Sequence, residues 1–372
     1  MRGVVAQPRA RRLPALDALR AVAVGTVIAY HAGMWGVPAD LGVSAFFVLS
    51  GFLITWLLLR EFEGSGDASL RRFYLRRTLR IFPAYYVFLL LSYAVDHSRG
   101  GSWGRGLTLS AVGYAVNYFN ALHGEPITSI THAWSLAVEE QFYLLWPLIF
   151  LLLMRRGAHR AVVALCTGIV AVVAWRSWLY LDVGTGSPYV NNAFDTRFDN
   201  LAVGCLTALC VGRPVFERFA QAAARTPLAP LATIALLAVS RILSAKAYHY
   251  SVGYTVDAIL LAILVLQLLQ LSGSALWAWL DWRPVRYLGA LSYSLYLYHN
   301  WGLTAGQHVP GPPVLKLAGG VGAALLLAAG SYHGIERPFL RLRDRLERRW
   351  WPSRPGADTA PTLPSTKPML TA

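Results

Sequence analysis

Residues 16–33 read LDALRAVAVGTVIAYHAG, an apolar run that carries a guanidinium, Arg20, and an imidazole, His31. The run is about as long as a helix needs to be to cross the hydrocarbon layer of a bilayer. Eleven residues separate Arg20 from His31, about three helical turns. The two side chains therefore fall within roughly 20° of each other and about 16 Å apart along the axis. A cation and an imidazole on one stripe of a membrane helix are costly to place in lipid and normally face a polar cavity. The stripe predicts a passage that begins near one membrane surface and reaches toward the other.

The rest of the chain supports a membrane setting. Hydrophobic residues make up 55% of the sequence and charged residues 14%, against about 25% charged in soluble domains. Long uncharged runs recur along nearly the whole length, which predicts an all-α polytopic membrane protein. The formal net charge of +15 is assigned to short arginine-rich loops beside apolar spans, as positive-inside topology requires, and not to nucleic acid. Cys166, Cys205 and Cys210 have no metal-ligand spacing with neighbouring histidines, so no metal site is expected. No small-residue cleavage site follows the first apolar stretch, which predicts a retained signal anchor.

Arg2, Arg9, Arg11 and Arg12 place the N-terminus in the cytoplasm. Residues 16–33 then cross outward and 41–59, LGVSAFFVLSGFLITWLLL, cross back. The following loop holds Arg60, Arg71, Arg72, Arg76, Arg77 and Arg80 and is cytoplasmic on the charge rule. Residues 81–95 go out and 141–154 return, provided that 107–120 is an interfacial or re-entrant segment and not a span; otherwise Arg155, Arg156 and Arg160 would fall outside. Segments 161–181, 198–211, 228–243, 255–272, 287–304 and 314–333 complete about ten transmembrane helices with both termini cytoplasmic. The chain divides into a basic N-terminus (1–15), a membrane domain (16–339) and a tail (340–372) that is basic and then Pro-, Ser- and Thr-rich, the composition of a partly disordered segment. No internal repeat of the kind found in many transporters is evident.

Several polar groups interrupt this apolar frame. His31, near the outer end of its helix, can accept a proton from a hydroxyl. Arg20, deeper, suits anionic or carbonyl oxygens; its structural alternative is a pair with Asp17 on the same face. In RRFYLRRTLRIFPAYY, Arg76, Arg77 and Arg80 crowd the cytoplasmic mouth ahead of Tyr85. That density serves topology, and it also suits capture of a phosphorylated, nucleotide-like donor. In THAWSLAVEEQFYLLWP, Glu139 and Glu140 point about 100° apart on a helix, so one of them, undecided by spacing, faces a given cavity; an exposed helix start is the bland alternative. In NNAFDTRFDNLAVGC, Asp195, Arg197 and Asp199 form either a salt-bridged external rim or the lining of an acceptor mouth. In LGALSYSLYLYHNW, the tyrosines read as interfacial anchors, and Glu336-Arg337-Pro338 reads as a helix end stopped by proline.

The order of LDALRAVAVGTVIAYH, GVSAFFVLSGFLI, FYLRRTLRIFPAYY, WSLAVEEQFYLLWP, FDTRFDNLAVG, LGALSYSLYLYH and SYHGIERPF resembles the acyltransferase-3 family of bacterial integral-membrane O-acyltransferases, from about Leu13 to Phe339. The resemblance implies about ten helices in the bacterial cytoplasmic (inner) membrane. It also implies transfer of an acyl group from cytoplasmic acyl-CoA, usually acetyl-CoA, with no permanently bound cofactor. The acceptor it implies is a hydroxyl of a carbohydrate, a glycolipid or a small glycosylated molecule. Arg20 and His31 match the family's essential pair on the first helix, Arg77 and Arg80 lie within its arginine motif, and Glu139 and Glu140 match its acidic pair. The family often carries a fused extracytoplasmic hydrolase-like domain; this sequence ends before one, so relay to such a domain would need a separate extracytoplasmic partner.

The expected mechanism follows. Arginines hold the CoA phosphates, the pantetheine arm passes Arg20, and His31 deprotonates the acceptor with help from one glutamate; direct attack and a covalent acyl-histidine both stay open. Two other classes compete. Buried Arg, His and Glu also suit a proton-coupled transporter, although no pair of broken helices accompanies them. An intramembrane serine hydrolase would use Ser50, but Ser50-Gly51 in an apolar helix reads more simply as a close-packing site.

Overall fold

The computed structural model describes residues 14–34, 36, 38–183, 187–242 and 246–351. Most of the basic N-terminus and the Pro/Ser/Thr-rich tail lie outside the described residues. Every regular element among the described residues is helical. The first half comprises α1 (Pro14–His31), α2 (Ala39–Ser65), α3 (Leu70–Ser98), α4 (Arg105–Val112), α5 (Val116–His123), α6 (Trp134–Arg155), α7 (Ala158–Val183) and α8 (Pro188–Asn192). The second comprises α9 (Phe194–Cys210), α10 (Pro214–Ala223), α11 (Ala229–Ile242), the short α12 (Lys246–Tyr248), α13 (Tyr254–Leu271), α14 (Arg283–Gln307), α15 (Pro313–Ser331) and α16 (Arg337–Trp350).

A helix occupies each of the ten segments expected to span. Six helices are long and apolar enough to cross a membrane: Asp40–Ser65, Leu70–Ser98, Thr131–Arg155, Ala158–Asp182, Lys246–Leu271 and Pro313–Trp350. The other four segments fall in α1, α9, α11 and α14. In α9 most residues are buried against protein, as are most of those between Gly289 and Leu303 of α14. Such inner helices need no lipid-facing apolar coat, so Asp, Arg, Ser, Tyr and His appear in them freely.

Segment 107–120 is broken into α4 and α5, eight residues each and so about 12 Å long, far short of a bilayer core. The break falls at Tyr114, whose φ of +54° is in the left-handed region. Its ring is held there by stacking on Tyr85 at 4.2 Å, and its carbonyl accepts from Gln141 Nε2 at 2.9 Å. The chain leaves and re-enters at one end of the bundle. Asp96, near the end of α3, accepts from the Ser129 N–H at 3.0 Å and Ser129 Oγ at 2.5 Å, just ahead of α6. The path keeps the ends of α3 and α6 together at that end of the bundle.

Contacts at the opposite end gather the arginine-rich connections. Asp67, in the α2–α3 turn, pairs with Arg155 at the end of α6 at 3.2 Å. Glu347 of α16 accepts from Arg72 Nε at 2.8 Å and from Arg76 Nε. The α2–α3 turn is tight because Gly66 adopts φ +75° and donates to Phe62 O at 2.7 Å, a left-handed helix end that favours glycine. Ser69 then caps α3 by accepting from Arg72 N at 3.3 Å.

Inside the bundle, α2 lies along α9 and α1 lies between α2 and α14. A Cβ on Gly51 of α2 would sit 2.0 Å from Leu201 O, and one on Gly204 of α9 would sit 2.2 Å from Val48 O. Ser50-Gly51 is thus a close-packing site. Two other expectations change. Tyr296 and Tyr298 are 5% and 3% exposed and are interior groups instead of interfacial anchors. Pro338 does not end a helix: a π-helical turn, Tyr332–Glu336, joins α15 to α16, and the proline lies just past it, within one helical run from Pro313 to Trp350.

Candidate active site

At the end of the bundle where α1 finishes, three histidines meet. Their ring centroids lie 4.8 Å apart for His31 and His299 and 4.9 Å apart for His132 and His299. Carbonyl oxygens only accept hydrogen bonds, which fixes every tautomer. His31 Nδ1 lies 2.9 Å from Val27 O and therefore carries the proton. His299 Nδ1 donates to Tyr296 O at 2.7 Å, so the lone pair on its Nε2 faces His31 Nδ1–H at 3.3 Å. His132 Nε2 donates to Leu297 O at 3.2 Å, and its Nδ1 accepts from Asn300 Nδ2 at 3.2 Å. His299 is fully buried and His132 nearly so, whereas His31 is exposed. The bond pattern leaves the Nε2 lone pair of His31 as the accessible base. Glu125, in the loop after α5, interacts electrostatically with His31 and accepts from Asn192 Nδ2 at 3.0 Å.

About three turns back along α1, Arg20 occupies a second polar zone. Its Nε is buried without a hydrogen-bond partner among the described residues. Glu139 interacts with both Arg20 and Arg77. Tyr143 Oη lies 2.8 Å from Glu139 Oε2 and 2.8 Å from Ser50 Oγ. Glu140, one residue round the helix, interacts with Glu139 and Arg77 and faces the aromatic side formed by Tyr85, Tyr114 and Tyr293. Glu336 accepts a hydrogen bond from Ser294 Oγ and interacts with Arg80 and Arg20. The acidic pair therefore belongs to the Arg20 level. Seven residues separate His132, beside His299, from Glu139, about 10 Å along a helix, so neither glutamate is placed to assist His31 directly.

The basic end holds a cavity of about 110 Å³ lined by Arg76, Arg77 and Arg80 of α3, Arg343 of α16, and Glu61, Leu57, Leu58 and Phe73. The Arg77 guanidinium stacks 5.0 Å from the Tyr143 ring, which links this cavity to the Arg20 zone. Tyr85, grouped with these arginines from the sequence, does not line the cavity. Five residues beyond Arg80 is about 140° round the helix; there Tyr85 is buried against Tyr114 and donates to Ala111 O at 2.8 Å.

Asp195, Arg197 and Asp199 part company. Asp199 is fully buried with Arg176 at 3.0 Å and accepts from Thr255 Oγ1 at 2.5 Å. Arg197 is also buried; its guanidinium lies 3.7 Å from the Tyr254 ring and donates to Ser44 Oγ at 3.0 Å. These two are interior scaffold, not a rim or an acceptor mouth. Asp195 alone stays part-exposed, accepting from Trp175 Nε1 at 2.7 Å and Tyr118 Oη at 3.0 Å.

The sequence assigns no chemical role to His132, His299, Glu125, Tyr143, Glu336 or Arg343; Glu336 reads there only as part of a helix end. His299 had a usable signal: Ser292, Tyr296 and His299 fall at i, i+4 and i+7, one face of a helix. His132 sits ahead of the first turn of α6 and had none.

The sequence pattern of the acyltransferase domain, acyltransferase-3, matches residues 13–333. The chain is 31% identical over 352 residues to the peptidoglycan O-acetyltransferase OatA of Listeria monocytogenes, covering 88% of this chain and 56% of that protein. It is 32% identical to the putative peptidoglycan O-acetyltransferase YrhL of Bacillus subtilis, covering 88% and 55%. It is 30% identical to the O-acetyltransferase OatA of Staphylococcus aureus, covering 78% and 50%. The chain thus spans about half the length of these relatives. No solved structure matches it. With a family pattern over most of its length and relatives that share nearly a third of their aligned residues with it, the chain belongs to the acyltransferase-3 family.

Proposed function

We propose that this protein is a membrane O-acetyltransferase that moves an acetyl group from cytoplasmic acetyl-CoA to a hydroxyl of a cell-wall carbohydrate of the peptidoglycan class. The observation that carries the reading is the layout of polar groups along α1: an arginine-lined cavity at one end, Arg20 and Glu139 between, and the histidine cluster at the other. Ten spans with both termini in the cytoplasm put the arginine cavity inside and His31 toward the outer face of the inner membrane. The named substrates of the relatives supply the acceptor class.

Each group then has one task. Arg76, Arg77 and Arg80 bind the donor phosphates through charge-assisted hydrogen bonds. The free Nε–H of Arg20 is available to an amide carbonyl of the pantetheine arm, which spans the distance of about 16 Å to His31. His31 Nε2 takes the proton of the acceptor hydroxyl, and the hydroxyl oxygen attacks the thioester carbonyl carbon. The tetrahedral intermediate collapses with cleavage of the C–S bond, and the CoA sulfur takes the proton back from His31. Positive charge on the imidazolium is met at Nδ1–H by Val27 O and by the His299 Nε2 lone pair. No step assigns the base role to a glutamate; Glu139 and Glu336 balance Arg20, Arg77 and Arg80.

The test uses the full chain in sealed vesicles given acetyl-CoA and a muropeptide or chitooligosaccharide acceptor, with release of free CoA and acceptor mass as readouts. CoA release matched by acetylated acceptor is expected, and His31→Ala lowers both by 10²-fold or more. Full activity in His31→Ala would end the base assignment, and acceptor movement without CoA release would replace transfer by transport.

A further inference from the structure

We propose that Arg343, on α16, reads the 3′-phosphate of the CoA donor, and that Glu347 is the clasp that holds α16 in place for it. This rests on the acetyl-CoA reading above and adds to it an element that lies beyond the last predicted span.

The register of two helices fixes the depth of each group. Helix α3 runs into the bundle from the basic end, so Arg72, Arg76 and Arg80 lie at increasing depth. Helix α16 packs along it in the opposite sense. Glu336, just before α16, interacts with Arg80 at the deep level. Glu347, near the other end of α16, bonds Arg72 and Arg76 at the shallow level. Arg343 lies between and enters the cavity that Arg76, Arg77 and Arg80 line.

Charge counting shows what the cavity takes. Four guanidiniums and one carboxylate, Glu61, line it; Glu61 Oε1 is engaged by the Ser69 N–H at 3.2 Å, Arg76 is also bonded to Glu347, and Arg77 and Arg80 also interact with carboxylates deeper in the bundle. Arg343 pairs with its chain neighbour Asp344 at 2.7 Å, a part-exposed contact of the kind that contributes little. An anion with several charges fits this set, and CoA offers a diphosphate and a separate 3′-phosphate. The thioester has to travel toward His31, so the diphosphate, nearer the pantetheine, meets the deeper Arg77 and Arg80. The 3′-phosphate, at the far end of the donor, is left at the shallow level with Arg76 and Arg343. Glu347, held by two arginines on α3, fixes the position of α16 and so of Arg343.

The experiment compares kcat/KM for acetyl-CoA and for acetyl-3′-dephospho-CoA, using the full chain in vesicles. A charge-assisted contact predicts that the unmodified protein prefers acetyl-CoA by about tenfold or more. Arg343→Ala brings the ratio close to one. Glu347→Ala lowers it by a few fold, and Arg345→Ala, on the exposed face, keeps it. The ratio is insensitive to partial unfolding, which lowers both rates together. No preference in the unmodified protein, or an unchanged preference in Arg343→Ala, overturns the assignment; a preference that stays the same or rises in Glu347→Ala overturns the clasp. Transfer from neither donor by the unmodified protein would instead bring down the acetyl-CoA reading itself.

Discussion

Replacing His299 by leucine should slow acetyl transfer by a definite and limited amount. In the resting site His31 Nδ1–H has two neighbours, Val27 O at 2.9 Å and His299 Nε2 at 3.3 Å. Leucine removes the second and leaves the first, so His31 keeps its tautomer and its orientation. What is lost is one hydrogen bond to a group that becomes positively charged during the reaction, about 1.5–3 kcal/mol, or roughly 10- to 150-fold in rate at 1.4 kcal/mol per factor of ten. Removing the base itself, by His31→Ala, costs more, about 10²- to 10⁴-fold. His299→Gln separates function from filling: its amide oxygen can accept from His31 and its NH₂ can donate to Tyr296 O, so it should stay within a few fold of the unmodified protein. The assay is kcat and KM for acetyl-CoA from CoA release in vesicles, with the amount of folded protein measured by size-exclusion fluorescence. His299→Leu should lower kcat and leave KM for the donor unchanged. Leucine and glutamine variants of equal activity, or a leucine variant as fast as the unmodified protein, would refute the support role of His299.

Two further predictions concern the scaffold. Asp199→Ala leaves the fully buried Arg176 without its counter-charge and should destabilise the bundle by about 3–5 kcal/mol, seen as a large fall in apparent melting temperature in detergent; an unchanged melt would mean that Arg176 is solvated. Gly51→Val drives a side chain into the backbone of α9, where a Cβ alone meets Leu201 O at 2.0 Å, so folded yield should collapse, whereas Gly64→Val, in open space on the same helix, should leave it intact.

The sequence made the helices legible because apolar length is a local signal. It also disfavoured a single span over 107–120, which would have put Arg155, Arg156 and Arg160 on the wrong side by the charge rule, and the segment is broken at Tyr114. Arg20 and His31 were readable as a stripe because they share one helix. The partners of His31 were not. His299 lies 268 residues away, and His132 stands ahead of α6, so neither shares a helix with it. Burial was misjudged for the same reason: the tyrosines of α14 have the composition of an interfacial belt, and only the packing of α14 between α1 and α15 turns them inward. Asp195, Arg197 and Asp199, at alternate positions in the sequence, scatter because the first turns of α9 contact α2, α7 and α8 at once.

Arg20 ties these parts together. It interacts with Glu139 on α6 and with Glu336 at the α15–α16 junction, and it lies close enough to Arg77 and Arg80 to repel them. Three guanidiniums (Arg20, Arg77 and Arg80) thus face three carboxylates (Glu139, Glu140 and Glu336) in the middle of the bundle. Opposite charges close together make such a set tolerable in a low-dielectric interior. A lysine at position 20 would keep the charge but not the planar fork, which presents donors in several directions at once. The arginines of α3 line the cavity at the basic end, while the apolar stretches of α3, α7 and α15 are mostly not buried within the protein.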